Sequence, residues 1–544
     1  MPTVNLNKQV VENLLGKKVP VEKLKDRISM LGTDLESITD KEITVEIFPN
    51  RPDLLSEQGF ARALSSFMNI KTGIKKYYIK KSGFSCKVEK ALDSWPYTVN
   101  AIVKNLKFNN ERIREIMQLQ EKLGTTLTRN RRKGGIGIYP LDKIKFPIRF
   151  TTMKLKDIKF KPLESDKEMN GLEIINDHPT GKKYGYILAK EKEHPVFIDF
   201  NNNIMSIPPI INSHDTGRIN ESTKEIFIEC SGPDLDTLNV ALNIIVTSLA
   251  DMDGEIYSLD IIYKNKKLVT PNLEPSLMNL DINYINKILD LNLKESEVKK
   301  YLQMMGLDLI NKKAIIPAYR IDILHQIDLV EEIAIAYGYE NFDYKLSNFG
   351  SVAEENKLEI FKKKISTILT SLGFIEINTF HLTNEEKNNK KMNIKEEFIK
   401  LENSINEDFD ILRSWLLPSS LEVLTNNKHY DLPQKIFEIA RIFKENKEID
   451  KLSILICNSK TNFTEIKQVL DALFLSLGLN YDIKETKHNS FIEGRTGSIL
   501  LKNKEIGILG EIHPDVIINW GLENPVVALE LNIKELYEKL NSST

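Results

Sequence analysis

A chain that carries the same stretch twice must fold that stretch twice, and this one does. Ile288–Leu309 (ILDLNLKESEVKKYLQMMGLDL) can be laid without a gap on Leu14–Leu35 (LLGKKVPVEKLKDRISMLGTDL), which sets Gly306 on Gly32 and Asp308 on Asp34. RIDILHQIDLVEEIAIA from Arg320 likewise lies on RPDLLSEQGFARALSSF from Arg51, Arg on Arg and Asp322 on Asp53. Apolar spacing in the first copy predicts helices near Lys8–Leu15, Val21–Leu31 and Ser56–Met68, with a strand at Ile43–Phe48. The expected unit is a helix–helix–strand–helix module present in duplicate.

The copies differ where carboxylates gather. In Pro317–Phe342 a short apolar run, Ile315, Ile316 and Tyr319, leads into a helical pattern of Ile327, Val330, Ala334 and Tyr337. Asp328, Glu331 and Glu332 then fall at i, i+3 and i+4, one helical face, with Asp322 just ahead of the helix start. Two readings are open: a cluster of hard oxygen donors of the kind that suits Mg²⁺, or an acidic helix start with Arg320 as its counter-ion. The first copy has Gly59, Arg62 and Ala63 at the three helical positions. A pure scaffold requirement should persist in both copies, which favours a functional cluster.

The 544 residues are enough for three to five domains at about 100 to 200 residues each. Lys plus Arg number 75 against 77 Asp plus Glu, so no global basic field steers nucleic acid, and any such contact must be local or supplied by a partner. The three cysteines, Cys86, Cys230 and Cys457, lie far apart without metal-ligand spacing, which argues against a disulfide framework or zinc site and for a reducing compartment. No run approaches the roughly 18 apolar residues of a membrane span, and a cytoplasmic location is expected.

Between about residues 76 and 270, strands and helices alternate, as in an α/β or α+β domain. RNRRKGGIGIYPLDKI (Arg129–Ile144) runs a basic cluster into glycines, either a phosphate-backbone contact or a solvated loop. It lacks the remaining signature of a dinucleotide fingerprint. Ile207–Asp236 crowds Ser213, His214, Asp215, Thr216 and Arg218 between two apolar strands, with Glu229, Ser231 and Asp234 closing the second. A polar loop and a hydrolytic pocket explain this equally well, because triad members are neighbours in space rather than in sequence. From Gly350 the alternation of Lys435–Phe443 and Ser498–Ile517 predicts an α+β domain on an antiparallel sheet. A helix is expected at Lys357–Leu372, a strand at Phe374–Phe380, and the most mobile surface at the Asn- and Lys-rich segment Lys387–Lys395.

NRPDLLSEQGFARAL (Asn50–Leu64), PPIINSHDTGRI (Pro208–Ile219), YRIDILHQIDLVEEIAIAYGY, LRSWLLPSSL and GEIHPDVI occur in this order over nearly the whole chain. Together they resemble the beta-subunit family of phenylalanyl-tRNA synthetase, archaeal and eukaryotic type. The resemblance implies a non-catalytic subunit of an α2β2 tetramer, whose alpha subunit binds ATP and phenylalanine and charges tRNA(Phe). It implies a B1-like module over 1–75, a B3/B4 editing domain over 76–270, a B5 domain over 271–347, and a class II synthetase-like domain without an active site over 350–544. Mg²⁺ ligands in the family match Asp322, Asp328, Glu331 and Glu332. Editing of tyrosyl-tRNA would use a pocket around Pro209, Asn212, Ser213, Thr216, Glu229, Ser231 and Asp234, with Glu229 reading the tyrosine hydroxyl.

The residues agree that the last domain has no ligase site. A class II triphosphate is held by fixed bidentate positive charge, an Arg-x-Glu element and a late Gly-x-Gly-x-x-Arg element. Here Arg413 is followed by Ser414 and Trp415, and the last stretch, GLENPVVALELNIKELYEKL, has no glycine–arginine element. No aminoacylation residue is therefore expected in this chain. A competing expectation from another class is an interaction scaffold whose editing domain has degenerated.

Overall fold

A computed structural model describes residues 2–346 and 350–541. The chain divides into two compact units, Met1–Lys345 and Leu346–Thr544. The expected junction at 347–350 falls largely on residues outside those described.

Both copies of the module fold alike. In the first, strands Thr3–Asn7, Glu42–Glu46 and Asp34–Ile38 pair antiparallel in that spatial order. Helices Lys8–Leu15, Val21–Met30 and Glu57–Phe67 complete it. In the second, strands Ser276–Asn279, Lys313–Ile316 and Asp308–Ile310 pair in the same order, with helices Ile282–Leu289, Glu295–Met304 and Gln326–Tyr337. Each copy thus has three strands where the sequence pattern showed one. Asp34–Ile38 is mostly solvent-facing and Asp308–Ile310 spans only three residues, so neither carries an apolar alternation long enough to read. The aligned Gly32 and Gly306 have a shared reason: both sit at positive φ, +92° and +73°, where the chain leaves the second helix of each copy.

Between the copies lies a ten-stranded, mostly antiparallel sheet. At one end of it, strand Ile226–Gly232 pairs with Tyr97–Lys104 on one side and the edge strand Gly135–Pro140 on the other. Side chains alternate across the sheet. Val99, Ala101, Val103, Ile228 and Cys230 face the helix Leu235–Asp251 in one core. Ile102, Tyr139 and Phe227 face a second core with Trp95 and Phe150. That second face also carries Asn100, Glu229 and Ser231.

The second unit is a seven-stranded sheet in the order Ile375–Glu376, Gln434–Lys444, Lys447–Cys457, Val526–Asn532, Lys504–Ile512, Phe491–Leu501, Asp482–Glu485. All its pairs are antiparallel except the first. Helices Lys357–Ser371 and Phe463–Leu477 pack on one face, and Leu417–Asn426 and Pro514–Asn519 belong to the core on the other. Two expectations are corrected here. Of the strand expected at Phe374–Phe380, only Ile375–Glu376 pairs in this sheet. The segment Lys387–Lys395 is not a loose surface: Asn388, Asn389 and Met392 are buried. Asn389 donates to Glu396 O at 2.9 Å and accepts from its N–H at 2.8 Å, and Asn388 Nδ2 donates to Thr383 Oγ1 at 3.0 Å. Amide side chains that replace backbone partners hold a polar segment as firmly as apolar ones do.

Candidate functional site

Helix Gln326–Tyr337 starts at His325, whose side chain accepts from Ile327 N–H. Asp328 closes the capping box, its Oδ2 accepting from the N–H groups of Leu324 and His325 at 2.7 and 2.8 Å. Asp322 lies against Arg320 in a bidentate pair, Nε to Oδ1 at 2.8 Å and Nη2 to Oδ2 at 2.6 Å. Glu332 meets the same Nη2 at 2.8 Å through Oε1, while its buried Oε2 has no partner. Glu331, one residue away, is exposed. The four acids therefore divide among separate roles. Among the described residues no group of three or more His, Cys, Asp or Glu is placed as a cation site would need. Arg320 neutralises two of the four acids, Asp322 and Glu332.

The first copy repeats half of the motif. Arg51 donates Nε to Asp53 Oδ1 and Nη2 to Asp53 Oδ2, both at 2.9 Å. Both arginines are buried. Burial opposes their charge, but the carboxylates around them overcome it and raise both guanidinium pKa values. Glu332 acts on Arg51 as well as on Arg320, and Arg320 helps to lower the Asp53 carboxyl, so the two pairs form one buried network.

The second candidate lies on the sheet face of strand Ile226–Gly232. Glu229 stands opposite Gly137 on one neighbouring strand and Asn100 on the other. Tyr139 Oη donates to Glu229 Oε1 at 3.2 Å and to Asn212 Oδ1 at 3.3 Å, two alternatives for a single hydroxyl proton. Gly137 makes this possible: a Cβ there would lie 2.5 Å from both Glu229 Oε1 and Tyr139 Oη. Trp95 Nε1 donates to Ser231 Oγ at 3.2 Å. Burial pushes the Glu229 carboxyl up to about 8, and the hydroxyls of Tyr139, Ser231 and Ser206, which favour the charged form, do not offset it. At neutral pH Glu229 is thus mainly a neutral acid, able both to donate and to accept. Its Oε2 and the buried Thr216 Oγ1 have no hydrogen-bond partner.

Of the residues expected in this pocket, the structure joins Asn212, Glu229 and Ser231 to one polar cluster. Thr216 is close by in chain, on the short helix His214–Gly217, whose Gly217 lies against Tyr139. Ser213 begins that helix, buried, and Pro209 offers its carbonyl to Arg131 Nη1 at 3.0 Å. Asp234 stands apart: it caps helix Leu235–Asp251 through Thr237 N–H and pairs with Lys133 at 2.8 Å. Arg131, read from sequence as part of a phosphate contact or solvated loop, donates to the carbonyls of Pro209 and Ile210 and stacks 4.1 Å from the Tyr184 ring centroid. Tyr139, Gly137, Ser206 and Trp95 escaped the sequence reading. The run Gly135–Pro140 (GIGIYP) held the signal, since glycine in a strand marks a close approach.

Arg413, the position where a triphosphate arginine was sought, is fully buried. Its Nε donates to Arg441 O at 2.9 Å, and its Nη1 donates to Thr379 Oγ1 at 2.7 Å and Glu438 Oε1 at 3.1 Å.

Three family models match the chain: the Phe-tRNA synthetase beta subunit B1 domain over residues 1–69, the tRNA synthetase B5 domain over 278–339, and the phenylalanyl tRNA synthetase beta chain CLM domain over 347–533. The phenylalanine–tRNA ligase beta subunit of Pyrococcus abyssi is 37% identical over 556 residues, covering 99% of this chain and 100% of the relative. That of Pyrococcus horikoshii is 37% identical over 555 residues, again covering 99% and 100%. The crystal structure of an N-terminal fragment of the Pyrococcus horikoshii phenylalanyl-tRNA synthetase beta subunit superposes with a TM-score of 0.59 at 36% identity, covering 62% of this chain and all of the fragment. Identity at this level from end to end, on a mixed α+β multidomain fold, means that the chain belongs to the phenylalanine–tRNA ligase beta-subunit family.

Proposed function

We propose that this chain works with an alpha subunit in an α2β2 phenylalanine–tRNA ligase and removes tyrosine attached in error to tRNA(Phe). In this reading the alpha subunit binds ATP and phenylalanine. Residues 1–75 and 271–347 are the B1-like and B5 modules, 76–270 the B3/B4 editing domain, and 350–544 a class II-like domain that supports the alpha subunit without a ligase site. Arg413 supports the last point: its Nε and Nη1 are taken by Arg441 O, Thr379 and Glu438, and only Nη2, fully buried, is left over, so no two-pronged fork is open to a triphosphate.

The observation that carries the editing proposal is Glu229, a neutral buried acid with one oxygen unpaired. An apolar synthetic pocket rejects an isostere with one extra hydroxyl by only about a hundredfold, too little for faithful translation. A second site that hydrogen-bonds the hydroxyl sorts in the opposite direction, because phenylalanine would leave its polar groups unpaired. Glu229 Oε2 reads the tyrosine hydroxyl, and Ser213 and Thr216 orient the ester or the attacking water. The purified complex is given tyrosyl-tRNA(Phe): Glu229→Ala and Thr216→Ala proteins should clear it far more slowly than the parent. Equal rates would remove these residues from the mechanism. No clearance by the parent would leave the chain an interaction scaffold with a degenerate editing domain.

Mg²⁺ at Asp322, Asp328, Glu331 and Glu332 is a separate proposal. The unpaired Glu332 Oε2 supports it, and the hold of Arg320 on Asp322 and Glu332 opposes it.

A further inference from the structure

Where the two module copies meet the end of helix Leu235–Asp251, the first unit has a half-open cavity of about 520 Å³. Its lining includes Arg51 and Arg320, each held in a bidentate pair by its own aspartate, and Arg320 by Glu332 as well. Arg62, also in the lining, donates Nη1 to Tyr77 Oη at 2.8 Å and to Asp251 Oδ2 at 2.6 Å, and its guanidinium lies 4.1 Å from the Tyr319 ring centroid. The same Asp251 also takes Lys75 at 2.7 Å, so one carboxylate serves two cations. Lys71 reaches only the Leu14 carbonyl, at 3.5 Å. With Asp53, Asp251, Asp322 and Glu332 set against the five cations, one positive charge is left over.

Two donors are also unused. Arg62 Nη2 is buried without a partner, and so is the hydroxyl of Ser65, a residue only 3% exposed. A buried donor left unpaired costs about 1–3 kcal/mol. Water could satisfy the hydrogen bonds, and a tetrahedral oxyanion would satisfy them and also attract the exposed, unpaired Lys71. We propose that this cavity is a binding site for a phosphate group, taken by Arg62 Nη2 and Ser65 Oγ and neutralised by Lys71. Its volume far exceeds one phosphate, and Leu14, Ile74 and Met305 give it an apolar wall. A phosphate monoester carrying a flat or aliphatic group therefore fits as well as orthophosphate. The inference is independent of tyrosyl-tRNA hydrolysis.

The test is calorimetric titration of the full chain with orthophosphate and, separately, with adenosine 5′-monophosphate, at constant ionic strength set with KCl. Saturable binding of either probe is expected. Ser65→Ala and Lys71→Ala should each weaken it by about fivefold or more without lowering the melting temperature of the unliganded protein, since neither removes an internal ion pair or a hydrogen bond of normal length. Tighter binding of the nucleotide assigns the site to an organic monoester, and equal binding assigns it to the free ion. No saturable binding of either probe overturns the proposal. So does binding that both variants retain undiminished.

Discussion

Replacing Glu229 by Gln isolates the energetic consequence of burying that carboxyl. Its pKa is pushed up to about 8 in the folded protein, mainly by burial, against 4.5 for the free side chain. The folded state therefore binds the proton more tightly than the unfolded state. Stability is fully present below about pH 4.5 and is lost as the pH rises towards 8. Each tenfold difference in proton affinity is worth about 1.4 kcal/mol, so the charge penalty reaches about 3 kcal/mol at pH 7 and between about 4 and 5 kcal/mol at pH 8. Gln keeps the shape and the hydrogen-bonding capacity of the neutral acid but cannot ionise. The stability of Glu229→Gln relative to the parent should therefore rise between pH 5 and pH 8 by a few kcal/mol. Urea denaturation at the two pH values measures it. Glu115, also buried and raised to about 8, titrates in both proteins and cancels in the difference. A parent and variant whose stability difference stays constant across that range would refute the reasoning.

Gly137→Ala should lower tyrosyl-tRNA hydrolysis by the complex and destabilise the chain by about 1–3 kcal/mol, because the added Cβ has no room beside Glu229 and Tyr139; melting and deacylation measure the two effects. Arg413→Met leaves Glu438 buried without its cation and should cost about 3–5 kcal/mol of stability in denaturant titration. The chain alone should give no phenylalanine-dependent pyrophosphate exchange, and robust exchange would show a ligase site that Arg413 does not reveal. Mn²⁺ soaked into crystals should give an anomalous peak at Asp328 and Glu332 if the Mg²⁺ proposal holds. Asp328→Asn with Glu332→Gln should abolish that peak and keep the helix; a parent without the peak leaves Arg320 as the counter-charge.

Local patterns determined much of this protein. The three-and-four spacing in Lys8–Leu15 and Val21–Leu31 was enough to place those helices, and the gapless alignment was enough to require the module twice. Glu229 stood out in the sequence because polar groups between apolar strands need a reason, and Asn212 entered only with the family resemblance. What surrounds them was not legible, since Gly137 and Tyr139 come from a strand about ninety residues earlier and meet Glu229 only through sheet register. The acidic cluster shows the same limit. Spacing put Asp328, Glu331 and Glu332 on one helical face, and their absence from the first copy argued for a metal. Within its own copy Glu332 meets Arg320, the counter-ion the sequence also offered, and packing the copies together adds Arg51 and Asp53 to that network. Helical periodicity fixes which direction a side chain leaves its own backbone, and nearby Arg320 was within reach of that reading, but the Arg51–Asp53 pair that joins the network comes from a segment about 280 residues earlier, and only the tertiary structure brings it there.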